Sequence, residues 1–197
     1  KRAGRRLRQL YQWYSLAMLD NTQKKPDTRE RILELAEAAV LAKGFASTSI
    51  EELIAAAGIS KSGFFYHFKD KNDLAKALLQ RYLDNEWSVF DQLFRQADEL
   101  SDDPLHGFLI FLKLFADAAA DLPNGHPGCI VASYVYQDHL FSSDVRALAS
   151  EGHLIWRRRF REKLDRIAER YPPRIDADLD DMADMLSAVA DGGIMLS

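Results

Sequence analysis

The sequence predicts an all-α protein. Three observations carry that reading. Apolar residues recur at three- and four-residue spacing along the long segments. No run of alternating β-branched residues is long enough for a sheet. Gly (10) and Pro (6) are few and fall between the periodic segments. With 197 residues, 47% of them apolar, the chain is long enough for one domain, or a small one joined to a larger, and its core needs neither disulfide nor metal. A single cysteine, Cys129, excludes an internal disulfide framework and a Cys-rich zinc site and suits a reducing cytoplasm. No apolar run approaches the ~18 residues of a membrane-spanning helix, and the basic N-terminal stretch lacks the apolar core and cleavage site of a secretory signal.

From Thr28 to Lys43, Ile32, Leu35, Ala36, Ala39 and Val40 form the stripe of a half-buried helix, and Gly44 stops it. Ser49 with Glu52 matches a capping box that opens a short helix ended by Gly58. Ser60 caps a third helix through about Phe65. Leu74, Leu78, Tyr82, Val89, Leu93 and Phe94 predict a long helix over about 72–97. Pro104 opens another to about Leu122, and 123–127 reads as a loop. Residues 128–141 are apolar and aromatic, Asp144 to about Arg170 is amphipathic, Pro172-Pro173 breaks the chain, and the helical pattern resumes at Leu179. The expected division is a basic extension (1–24), a three-helix reader (25–71) and a larger helical domain (72–197).

The net charge of −4 conceals a gradient. Residues 1–24 carry six Lys/Arg against one acid, residues 25–80 carry eight of each, and residues 81–197 carry twelve bases against 21 acids. Any contact with an anionic partner is therefore confined to the N-terminal part.

Between Thr48 and Leu74 two short helices meet at a glycine turn, the helix-turn-helix arrangement. Ile50, Leu53, Ile54 and Ala57 supply the packing face of the first, Gly58 the left-handed turn residue, and Ile59 a plug into the core. The second begins Ser60-Lys61-Ser62-Gly63-Phe64-Phe65-Tyr66-His67. It combines small residues that permit close approach, aromatic rings, and donors for phosphates and base edges.

Thr48-Ser49-Ile50, Ala57-Gly58-Ile59-Ser60-Lys61, Phe65-Tyr66-His67-Phe68 and Lys71-Asn72-Asp73-Leu74 resemble the DNA-binding domain of the tetracycline-repressor (TetR/AcrR) family, as do Thr28 to Leu33 and Lys43-Gly44-Phe45. The resemblance covers about 28–80. It implies phosphate contacts from Thr48 and Ser49, base contacts from Lys61, Ser62 and Gly63, and backbone contacts from His67 and Lys71. Phe65 stands where the family usually has Tyr, so that hydroxyl is lost, and Tyr66 is placed to take over part of its role. Glu51 lies where some members carry a basic residue facing the groove. Phe64 and Phe68 read as core.

The resemblance also implies a domain that senses a small molecule and dimerises. Trp87, Phe90, Phe94, Phe111, Phe115 and Tyr134, with Gln137 and His139 as polar anchors, are candidates for a pocket, whose aromatic lining favours an apolar or aromatic effector. Leu148, Ile155, Trp156, Phe160, Leu179, Met182, Leu186 and Val189 are candidates for a dimer interface. Aromatic and apolar residues at this spacing also fit plain core packing. The long helix over 72–97 would link pocket to reader. In the N-terminal stretch, Met18 reads as a natural start and 1–17 as an extension, with a minor-groove arm or a membrane-surface helix as alternatives. Ser197 falls inside an apolar helix, an end that looks short beside the family. His67, His106, His126, His139 and His153 show no metal-ligand spacing, and no nucleophile–base pattern stands out. No metal, cofactor or enzymatic activity is expected. The expectation is a cytoplasmic, homodimeric regulator that binds a double-stranded DNA operator, a repressor as the resemblance implies, with release by a small-molecule effector and no membrane partner. The alternative is a helical ligand-binding or interaction protein that has lost operator binding.

Overall fold

Helix caps and glycine stops divide the chain much as their spacing predicts. The computed structural model describes residues 27–120 and 129–196; the 1–24 extension and the loop expected over 123–127 lie outside the described residues. The helices are α1 (Thr28–Lys43), α2 (Ile50–Ala57), α3 (Lys61–His67), α4 (Lys71–Leu100), α5 (Pro104–Ala120), α6 (Ile130–Tyr136), α7 (Ser143–Arg170) and α8 (Leu179–Leu196), with a 3-10 turn at Asp138–Leu140. Among the described residues there is no strand. The all-α expectation holds. Three lengths differ from it: α3 continues to His67, α4 extends to Leu100, and the aromatic stretch 128–141 contains α6 and the 3-10 turn. None of these helices is long and apolar enough to cross a membrane.

Two compact units form. One holds residues 27–85 and 129–151, the other residues 86–120 and 152–196. The chain passes between them within α4 and again within α7. This is not the division at 71/72 read from the sequence: the start of α4, α6 and the start of α7 group with the helix-turn-helix.

In the first unit, α1 buries Ile32, Leu33, Ala36 and Val40. It stops at Gly44, whose φ of 81° suits a residue without Cβ and whose amide donates to the Val40 carbonyl at 2.8 Å. Ser49 Oγ accepts from the Glu52 amide at 3.1 Å. The Glu52 carboxylate turns to Lys43 Nζ at 2.5 Å, and that bond holds its pKa below the ordinary range, with help from the Ser49 backbone amide. Gly58 ends α2 in the left-handed region, φ 64° and ψ 37°. Asp70 opens α4 by accepting from the Asp73 amide at 2.8 Å, while Asp73 reaches back to the Lys69 amide at 3.0 Å. Tyr134 of α6 stacks on Phe141 with centroids 4.2 Å apart, and both rings pack on Phe45. The Tyr134 hydroxyl donates to the Ala75 carbonyl at 3.2 Å, which binds α6 to the first turns of α4.

The second unit is built around stacked rings. Phe94 and Phe111 lie 3.8 Å apart and nearly parallel, and Phe90 meets Trp156 at 4.1 Å edge to face. Phe115 and Phe160 extend this cluster. Charges close its outer side: Lys163 pairs with Asp98 at 3.0 Å, Arg159 with Asp91, and Arg157 of α7 with Asp184 of α8 at 2.6 Å.

Candidate nucleic-acid interface

The seven-residue helix α3 is held from behind and capped from the front. Phe64 and Phe68 are fully buried, their rings 5.6 Å apart. Burial of each contributes about 1.5–3 kcal/mol and fixes the rotation of α3. Ser60 Oγ accepts from the Gly63 amide at 3.1 Å and shares a hydrogen bond with Ser62 Oγ at 2.9 Å. A Cβ at Gly63 would stand 3.3 Å from Ser60 Oγ, so glycine is what lets this cap close without displacement.

The outward face carries the predicted readers. Lys61 and Ser62 are exposed, Gly63 is half-buried, Phe65 is 42% exposed with its ring set edge-on to Phe64, and Tyr66 is 85% exposed. His67 is half-buried, its ring 5.0 Å from that of Tyr66. Apart from this edge contact with His67, the Tyr66 ring is largely open to solvent. Ser49 is exposed at the start of α2, but its hydroxyl is engaged by the Glu52 amide.

Two residues expected at phosphates are differently employed. Thr48 is buried, and its hydroxyl donates to the Gly44 carbonyl at 3.0 Å, closing the turn after α1. The Lys71 ammonium donates to the Phe45 carbonyl at 2.9 Å and lies over the Phe45 ring. Both side chains brace the turn after α1 that precedes the reader. The sequence pattern shows that these positions are special; it does not show which way they point.

Residues 32–78 match the family described as bacterial regulatory proteins, tetR family. Over that segment the chain is similar to tetR-family regulators. It is 40% identical over 52 residues to the HTH-type transcriptional regulator AcrR of Shigella flexneri, covering 26% of this chain and 24% of that one. It is 31% identical over 84 residues to TtgR of Pseudomonas putida, covering 42% and 38%. The match thus spans between about a quarter and two fifths of the length of these curated relatives. In fold, a tetR-family regulator from Agrobacterium tumefaciens superposes with a TM-score of 0.70 at 18% identity, covering 85% of both chains. Reduced Escherichia coli NemR gives 0.68 at 19%, covering 86% of both.

The expected pocket residues are divided between the two units. Trp87, Phe90, Phe94, Phe111 and Phe115 belong to the second unit, while Tyr134, Gln137 and His139 belong to the first. The reason is local: Tyr134 is bound to Ala75, Gln137 follows α6 beside Gly44, and His139 is exposed on the 3-10 turn. In the second unit a recess is lined by Trp87, Phe90, Ile155, Trp156, Arg159 and Phe160, with room for about one water molecule. The indole N–H of Trp87 is buried without a hydrogen-bond partner. Ile155, Trp156, Arg159 and Phe160 lie outside the expected pocket set, and so does Glu86. The Glu86 carboxylate accepts a hydrogen bond from Trp156; the available signal was an acid adjoining the Trp87–Phe90 aromatic stripe.

The expected interface residues also separate. Trp156 and Phe160 are buried in the aromatic cluster of their own unit, because their rings meet Phe90 and Phe111. They are core within the protomer. Leu148, Ile155, Leu179, Met182 and Leu186 are half-buried. Val189 is 66% exposed, and Leu154 and Met185 are exposed as well.

Proposed function

We propose that this chain is a homodimeric, cytoplasmic regulator that binds an operator in double-stranded DNA and represses transcription until an apolar or aromatic effector releases it. The observation that carries the reading is α3, which turns Lys61, Ser62, Phe65 and Tyr66 outward while Phe64 and Phe68 anchor its back. A short helix fixed in this way presents its N-terminal residues to a major groove, and two copies would read two half-sites about one helical turn apart. The exposed apolar residues Leu154, Met185 and Val189 favour pairing through α7 and α8. The aromatic cluster favours an apolar effector, which has to part the rings to enter a recess this small.

Release follows from linkage. An effector lowers operator affinity only through its different affinities for the two states, and a 100-fold loss needs about 2.7 kcal/mol. α4 is the continuous element that starts at Lys71 in the reader and carries Trp87 and Phe90.

The test is selection of bound duplexes from a random DNA pool, followed by a salt titration on the winner and sedimentation of the free protein. A palindromic motif, salt-dependent binding and a dimer are expected. A folded dimer that enriches no motif overturns operator binding. An operator affinity unchanged by every ligand that binds overturns the release mechanism.

A further inference from the structure

The exposed face of the reader carries a charge pair. Glu51 Oε1 of α2 lies 4.0 Å from Lys61 Nζ of α3, with side chains 75% and 70% exposed. The N-cap of α2 is supplied by Ser49 and the tie to α1 by Glu52, so Glu51 has neither task. An exposed ion pair contributes at most about 1 kcal/mol to stability. Its position gives it another use. Lys61 opens α3, the end a recognition helix turns toward base edges, and Glu51 faces what Lys61 faces.

A carboxylate brought against DNA is repelled by the phosphates unless a base donates to it. On the major-groove edge of a G·C pair, guanine offers the acceptors O6 and N7, which suit an ammonium. The cytosine N4 amino group beside them is the donor a carboxylate takes. A Lys–Glu pair matches that edge in both charge and hydrogen bonding.

We propose that Glu51 and Lys61 together read one G·C pair in each half-site, Lys61 donating to the guanine and Glu51 accepting from the cytosine amino group. Glu51 is then a specificity-determining residue. This inference rests on the operator-binding reading.

The test runs duplex selection in parallel on the full chain and on its Glu51→Gln and Glu51→Ala variants, with a thermal melt of each. The parent is expected to enrich a motif with a fixed G·C pair. Glu51→Gln should shift that one position toward adenine, whose N6 and N7 suit an amide, and Glu51→Ala should lose about 10-fold of the discrimination there and none elsewhere. A purely structural Glu51, acting on the α2 dipole, would lower the melting temperature and leave the motif intact. One motif shared by all three proteins therefore overturns the proposal, whatever their affinities. A parent that melts cooperatively but enriches nothing overturns operator binding itself, and this proposal with it.

Discussion

The Lys71 ammonium donates to the Phe45 carbonyl at 2.9 Å and sits 4.6 Å from the centroid of the same residue's ring. A second, longer bond reaches the Ala46 carbonyl at 3.4 Å. Burial lowers the pKa of this amine. The contact ties the first residue of α4 to the turn after α1, and Phe45 is itself packed against Tyr134 and Phe141. Lys71→Met keeps the stem but leaves two carbonyls without their donor, so a loss of about 1–3 kcal/mol is expected by urea denaturation. If Lys71 is only a phosphate contact, stability will be unchanged and the slope of operator affinity against salt will fall by about 0.9.

Arg81 of α4 holds two carboxylates of α1, Glu30 at 2.5 Å and Glu37. Burial raises the pKa of Glu37, and Arg81 pulls it back down. Arg81→Met removes the cation that opposes this burial penalty and should cost about 3 kcal/mol. Without Arg81 the folded pKa of Glu37 rises further above its unfolded value, so ionisation is penalised in the folded state. The deficit should be larger at pH 8 than at pH 5, and Glu37→Gln added to Arg81→Met should remove that difference. A deficit independent of pH would assign the loss to packing of the Arg81 stem.

The reader was legible in the sequence because its constraints are local. Ser49, Gly58 and Ser60 each act on backbone within three residues, and each appears where its chemistry requires. Phe64 and Phe68 announced themselves as core by their four-residue spacing. Thr48 and Lys71 were harder, since a Thr or Lys that binds a carbonyl looks in sequence like one that binds a phosphate. The placement of Tyr134 was not legible at all: a hydroxyl finding Ala75, 59 residues away, is a tertiary fact. Nor could periodicity separate Trp156, which packs inward, from Val189, which faces solvent, because a buried stripe and an interface stripe have the same spacing.

Gly58 and Gly63 are both needed, for different reasons. At Gly58, φ is 64° and no atom lies within 4 Å of a Cβ position, so the penalty for a side chain is backbone strain alone. Gly58→Ala should cost about 1–2 kcal/mol and Gly58→Asn less, because Asn tolerates the left-handed region. At Gly63 the backbone is ordinary and the obstacle is Ser60 Oγ. Gly63→Ala should therefore disturb the α3 cap, and Ser60→Gly in the same chain should relieve the crowding. Melting curves of the four variants decide this; failure of Ser60→Gly to offset any of the Gly63→Ala loss would remove the cap from the explanation.

Glu86 makes the second unit sensitive to pH near neutrality. Burial pushes its carboxyl pKa up to about 7 from an ordinary 4.5; Asp191 also raises it, and the hydrogen bond from Trp156 opposes the shift. The folded pKa exceeds the unfolded one, so the folded state binds the proton more tightly and stability falls as pH rises from about 4.5 through 7. Below that window the group is protonated in both states and contributes nothing. Above it, the ionised carboxylate costs the folded state about 3 kcal/mol. Glu86→Gln keeps the shape and an acceptor for the Trp156 indole while removing the ionisation. The variant should match the parent at pH 4.5 and exceed its stability at pH 8 by up to that amount, measured by urea denaturation at the two pH values. An equal difference at both would show that the substitution acts through packing, since only the ionisable group can make the gap grow with pH.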